Sequence, residues 1–278
     1  MFNRFIFIIV ISNSIILPQS LSLTGNLKKI QNAAVQGVTE GLSWHDLLLT
    51  GYMLSRNNIR IEEDDKLSVR PSSFESNIQD NIGKSGRVSV GSLDPHYFPN
   101  IIFYSRLAFT LGKNLIAPSS TDKEDYKHIF LFGKSILYTF AITDITKETI
   151  GRRRPDGSDT KSFFSGHTST AFAASSFLYR EIDDYLDSSP MTANNDVLRK
   201  SLKAVSFLTL YGWAGYVGYS RMQDNKHYLT DVIVGAAVGT IISNVIYDFY
   251  LNEDAKILKN VNVSIVDRTP VISFRMNF

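Results

Sequence analysis

The chain contains no cysteine. That excludes a disulfide framework, a thiol nucleophile and a thiolate-bound metal. It leaves the compartment open, because an exported protein need hold no disulfide. An excess of one charge is missing too: 29 Lys and Arg stand against 27 Asp and Glu, a formal net charge of +2. So even a balance gives no electrostatic ground for a nucleic-acid partner. Long hydrophobic runs are also absent from the interior of the sequence. The two longest apolar segments are free of charge over Ala204–Ser220 and Val232–Tyr247. Neither reaches the ~18–20 residues of a confident bilayer span.

What is present favours a packed core. Hydrophobic residues make up 44% of the 278, with 18 Phe and 13 Tyr. That length suits one large domain or two small ones. At the N-terminus, Arg4 precedes the apolar run Phe5–Ile11, and Pro18 and then Ser20-Leu21-Ser22 follow. This is the pattern of an export signal over residues 1–22, cut near Ser22, since Ser12, Asn13 and Ser14 break the run before it could span a membrane.

Residues 23–99 read as an N-terminal helical and irregular segment. Trp44-His45-Asp46 opens a short helix, and turn-forming and acidic residues dominate from 58 to 100. From 100 to 252 the texture becomes helical, with apolar segments over 101–111, 129–146, 169–179, 201–219 and 229–250. A polar connection fills 180–200. Gly212, Gly215 and Gly218 share one of these helices, and Gly235 and Gly239 form G-x-x-x-G on the next. With a mean hydropathy of −0.05, close packing inside a bundle is preferred to helix contacts in lipid. The tail, 253–278, alternates over Val261–Ile265 and Ile272–Phe278 around Asp267–Pro270, the pattern of a small β-hairpin. The expected fold is therefore all-α, a bundle of about five core helices with a C-terminal β-hairpin.

Three clusters carry the chemistry. They are Lys147 with Arg154-Pro155, then Ser165-Gly166-His167, then Ser220-Arg221 with His227 and Asp231. Their spacings are K-x6-R-P, S-G-H and S-R-x5-H-x3-D. Lys147 lies near the end of its helix, which Gly151 is expected to terminate. Arg154 and Arg221 can each fork two oxygens of a tetrahedral anion, with Lys147 as a point charge. Gly166 lets the backbone approach a ligand, and a helix expected to begin near Thr168 presents amides to an anion. His167 is placed to protonate a leaving oxygen. His227 and Asp231, four apart, share a helical face, with Asp224 or Asn225 expected as the N-cap. The carboxylate can then hold one imidazole nitrogen and leave the other as a nucleophile. Taken singly, these are an ordinary capped loop and a surface His–Asp pair. Arg152 and Arg153 are read as a solvated basic loop, and His45, His96 and His128 as structural.

The combined pattern resembles the type 2 phosphatidic acid phosphatase superfamily, which also holds bacterial acid phosphatases and vanadium haloperoxidases. The resemblance covers residues 100 to 250, with its motifs inside 147–231. The stretches Ser162–Thr168 and Asn225–Tyr228 look like its exported bacterial branch. One departure is Phe164, where the family usually has Pro. The resemblance implies a phosphatase acting without a metal or other cofactor. His227 would form a phosphohistidine, with Asp231 orienting its ring and His167 as general acid. Lys147, Arg154, Arg221, Ser165 and Gly166 would bind the phosphoryl oxygens. It also implies a phosphate-ester or lipid-phosphate substrate. Export would place the protein in the periplasm, either soluble there or associated with a membrane and facing it. The alternatives are a haloperoxidase holding vanadate in the same pocket, and a non-enzymatic phosphate-binding scaffold.

Overall fold

A computed structural model describes residues 22–56, 61–62, 65–83, 97–252, 261–266 and 269–274. The export signal expected over 1–22 lies, but for Ser22, outside the described residues, as does His96. Two helices, α1 (Ser22–Gly41) and α2 (Trp44–Ser55), lead in, followed by the short α3 (Ser73–Ile82). The bundle is then built from α4 (Tyr97–Ile116), α5 (Lys123–Thr149), α6 (Gly166–Ser188), the single turn α7 (Pro190–Ala193), α8 (Asp196–Gln223) and α9 (Leu229–Leu251). The all-α core and its five long helices are as the periodicity implies. In the tail, the backbone of β1 (Val261–Val266) pairs antiparallel with β2 (Thr269–Phe274).

The helices are longer than their apolar stretches, because polar caps and first turns carry no hydrophobic signal. Helix α5 begins at Lys123, where the Asp122 carboxylate accepts the Glu124 amide at 3.1 Å. It ends at Ile150, not Gly151, with the Ile150 amide donating to Thr146. Helix α6 starts two residues before Thr168, capped by Ser165, and it runs on through the expected polar connection to Ser188. Asn195 caps α8 by accepting the Leu198 amide at 2.9 Å. The expected cap of α9 is a correction. Asp224 closes the end of α8, Asn225 takes a left-handed φ of 54°, and Tyr228 is the N-cap. His227 therefore lies just outside α9 rather than in its first turn.

The central core joins α5, α6 and α9 through Leu131, Phe132, Ala174, Phe177, Ile246 and Tyr247. Ala171, Ala214 and Val217 seal α6 to α8. Ile30 and Ala33 pack α1 on Tyr126. One buried charge ties the lead-in helices to this core. The Lys134 ammonium donates to the Gly41 carbonyl at 2.9 Å, to Asp46 Oδ2 at 2.9 Å and to the Tyr250 hydroxyl at 2.8 Å.

The glycines divide into two kinds. A Cβ on Gly239 would sit 2.0 Å from the Ser169 carbonyl oxygen, and one on Gly235 2.7 Å from that of Ser165. On α9 the G-x-x-x-G is thus a contact surface, bringing α9 onto the backbone of α6. Gly218 is similarly close to Val232, at 2.7 Å, whereas Gly212 and Gly215 face open space. The outer faces are apolar: Val205 and Leu208 on α8 and Ile233, Ile241 and Phe249 on α9 are exposed. By length and composition, α5 and α9 are long and apolar enough to cross a membrane.

Gly239→Ala is expected to destabilise by ~3 kcal/mol or more, because backbone rather than a pliant side chain opposes the new methyl. Gly212→Ala, in open space on a helix, is expected to stabilise by up to ~1 kcal/mol. Thermal unfolding midpoints of the two variants check both the size and the opposite signs.

Candidate active site

The three clusters meet where the start of α6, the start of α9 and the ends of α5 and α8 converge. The Ser165 amide donates to the Asp231 carbonyl at 3.0 Å, which joins the two helix starts. The Ser165 hydroxyl accepts from the Thr168 hydroxyl at 2.8 Å and caps α6. Gly166 opens that helix beside Lys147: a Cβ there would lie 3.9 Å from Nζ. His167 follows in the same first turn. Phe164 is buried, its ring edge-on to that of Phe163. The loop is therefore anchored by packing at the position where the family's proline was expected.

His227 is 1% exposed, and its Nδ1 lies 2.7 Å from the Ser162 carbonyl. A carbonyl can only accept, so Nδ1 carries the proton and Nε2 is left with a lone pair. Asp231 does not make this bond. Its Oδ2 stands 3.7 Å from Nδ1, beyond hydrogen-bond reach. Instead it accepts the Ser162 hydroxyl at 2.6 Å and the Tyr228 amide at 2.8 Å. The carboxylate thus fixes the residue that fixes the ring, one step further back than the i, i+4 spacing suggests. Burial pushes the imidazole down to about 3, and the nearby Lys147 and Arg154 add to this against the pull of Asp231. The ring is neutral at neutral pH.

The cations are crowded. Burial, reinforced by Arg154 and more weakly by Arg221, pushes Lys147 down to about 8. Arg154 donates through Nε to Asp159 at 2.6 Å. Arg221, in the last turn of α8, is buried and donates through Nη1 to Asp224 at 3.0 Å. An oxyanion bound among these positive groups would offset the charge that burial opposes.

Arg152 corrects the expectation of a solvated loop. It is 2% exposed, whereas Arg153 is exposed as expected. Its Nη1 donates to Asp231 Oδ1 and to the Thr230 hydroxyl, both at 2.8 Å, and its Nη2 to Glu75 Oε1 at 2.8 Å. Its guanidinium carbon lies 4.7 Å from the centre of the Tyr228 ring. Sequence reasoning also missed Glu75 and Ser162. The only signal near Glu75 is S-x-x-E, Ser72 to Glu75, a capping box that marks a helix start and says nothing of a distant site. The histidines read as structural stay outside the cluster: His128 pairs with Glu181 at 2.8 Å and His45 lies against Trp44. Among the described residues no group of three or more His, Asp or Glu side chains is arranged to hold a metal ion.

Residues 128–254 match the PAP2 superfamily model. The chain is 35% identical over 101 residues to a lipid A 1-phosphatase of Porphyromonas gingivalis, covering 36% of this chain and 19% of that protein. It is 33% identical over 147 residues to lipid phosphate phosphatase 1 of Arabidopsis thaliana, covering 42% and 43%. With diacylglycerol pyrophosphate phosphatase 1 of Saccharomyces cerevisiae it shares 36% identity over 84 residues, covering 30% and 27%. The chain thus spans less than half the length of these curated relatives. No solved structure matches significantly.

Because His227 stays neutral when folded, the unfolded chain binds a proton below about pH 6.5 that the folded chain refuses until about pH 3. Stability is therefore expected to fall by a few kcal/mol as the pH drops through this window. His227→Gln should flatten the fall between pH 6.5 and 5, before the carboxylates begin to protonate. Thermal midpoints across that range measure it.

Proposed function

Given the PAP2 superfamily domain in residues 128–254, we propose that the chain hydrolyses phosphate monoesters carried on a lipid, through a phosphohistidine on His227. The observation that carries this reading is the fixed tautomer of His227. Its Nδ1 proton is committed to the Ser162 carbonyl, and its Nε2 lone pair is kept neutral by burial beside two cations.

The steps follow from that placement. Nε2 attacks phosphorus in line as the bond to the leaving oxygen breaks, and His167 gives that oxygen a proton. Nδ1 keeps its own proton throughout. Water then attacks phosphorus, the P–N bond breaks, and His167 recovers a proton from the water. Charge spreads over the three equatorial oxygens during each transfer, where Lys147, Arg154 and Arg221 stabilise it most, with Ser165 and the Gly166 amide. A trigonal-bipyramidal vanadate suits the same clamp and is expected to inhibit.

The lipid substrate is supported by the names of the relatives and by the apolar outer faces of α8 and α9. The same faces and the two apolar helices α5 and α9 support association with a membrane. With an export signal at residues 1–22, the site would face the periplasm.

His227→Ala is expected to abolish turnover, a loss of ~10³-fold or more. His167→Ala should lose ~10²-fold or more on an alkyl phosphate and much less on p-nitrophenyl phosphate, whose leaving group needs little protonation. Equal losses on both substrates would remove the acid role.

Turnover of a lipid phosphate in detergent micelles is expected to exceed that of a water-soluble monoester without detergent. The reverse ranking would assign the enzyme to soluble monoesters. Bromide oxidation with added vanadate and peroxide would replace the phosphatase reading with a haloperoxidase.

A further inference from the structure

We infer that α3, which lies outside the matched family domain, completes the active site, with Glu75 and Arg152 as positioning residues for His227. This rests on the phosphatase reading above.

The chain of contacts is continuous and buried. Glu75 is 7% exposed, and its two oxygens do different work. Oε2 accepts the Ser72 amide at 3.0 Å and closes the capping box that starts α3. Oε1 accepts Arg152 Nη2 at 2.8 Å and the Thr230 hydroxyl in a short bond. The helix start and the carboxylate's aim at Arg152 are therefore set together. Arg152 in turn holds both groups behind the nucleophile. Its Nη1 donates to Asp231 Oδ1 at 2.8 Å, and its backbone carbonyl accepts the Ser162 amide at 2.9 Å. Ser162 then bonds Asp231 through its hydroxyl and His227 through its carbonyl. Moving Arg152 moves the acceptor that sets the tautomer and direction of the attacking ring.

The charges explain why a second carboxylate is needed. A buried guanidinium facing one carboxylate leaves its other nitrogens without an acceptor and free to swing. Glu75 on one side and Asp231 on the other hold the fork in one plane, against the Tyr228 ring. The pull on Glu75 is visible in its acidity. Burial raises its pKa, yet the bonds from Thr230, Ser72 and Arg152 outweigh this and bring it down to about 2. A second tether fixes α3 further along: Gln79 Nε2 donates to the Met222 carbonyl at the end of α8 and to Asn225 Oδ1 in the loop that leads to His227, both at 2.7 Å.

The test uses the full chain, with kcat, KM and thermal midpoint measured on p-nitrophenyl phosphate. Wild-type turnover and its loss in His227→Ala are established first, and failure there rejects the phosphatase reading rather than this one. Glu75→Ala is then expected to lower kcat ~10-fold or more, with KM changed less than ~2-fold, because Glu75 touches no substrate. Glu75→Gln keeps an acceptor for Arg152 and Thr230 and should recover most of the loss. Arg152→Lys keeps the charge but cannot span two carboxylates, and should resemble Glu75→Ala. The double variant Glu75→Ala/Arg152→Lys should lose little more than either single one. Wild-type kcat in Glu75→Ala or in Arg152→Lys would overturn the inference. So would losses in the two single variants that multiply in the double, or a Glu75→Gln no better than Glu75→Ala. If Glu75→Ala does not fold, Glu75→Gln and Arg152→Lys decide: the first must stay near wild type while the second loses kcat at unchanged KM.

Discussion

The site depends on how closely α9 lies against α6. At Gly239 and Gly235 the two backbones approach so nearly that a single methyl would meet a carbonyl oxygen. That approach allows the start of α6 to donate its Ser165 amide to the Asp231 carbonyl. Two helix starts then share one corner, the anion-facing amides of α6 beside the residue that precedes α9. Neither helix positions the chemistry alone. His227, the proposed nucleophile, precedes one and Ser165-Gly166, the proposed phosphoryl cradle, opens the other, so the distance between helices sets the distance between these groups.

Around that corner the structure alternates charge. Glu75, Arg152 and Asp231 form a buried line of minus, plus, minus, and Lys147, Arg154 and Arg221 lie near one another, with Lys147 and Arg154 close to His227. Buried charges need partners with good geometry: Arg152 has a carboxylate on either side, Arg154 pairs with Asp159 and Arg221 with Asp224. The imidazole between them is held neutral by burial, which keeps its lone pair available without a general base.

Much of this was legible beforehand, for identifiable reasons. The five long helices carry apolar stretches at helical period, and Lys147, Arg154, Ser165, His167, Arg221, His227 and Asp231 fall in three short spacings that a local reading can join. Helix ends were misplaced wherever capping residues rather than apolar ones define them, as at Asp122, Ser165 and Tyr228. Arg152 looked like a solvated cation because its partners, Glu75 and Asp231, are 77 and 79 residues away. No spacing rule reaches that far. The direct His227–Asp231 bond was expected from helical geometry, but His227 precedes the helix, and a backbone carbonyl took the bond instead.

Lys134 extends this logic to the limits of the domain itself. The matched family region starts at residue 128, yet the carbonyl that accepts from this ammonium and the carboxylate that neutralises it, Gly41 and Asp46, come from far upstream. Arg152 likewise takes one of its two carboxylates from residue 75. A region bounded by sequence likeness is therefore not bounded by charge. Severed at 128, the helical core would keep two buried cations, Lys134 without Asp46 and Arg152 with Asp231 but without Glu75. Sequence and electrostatics draw the unit of inheritance and the unit of stability at different places along this chain.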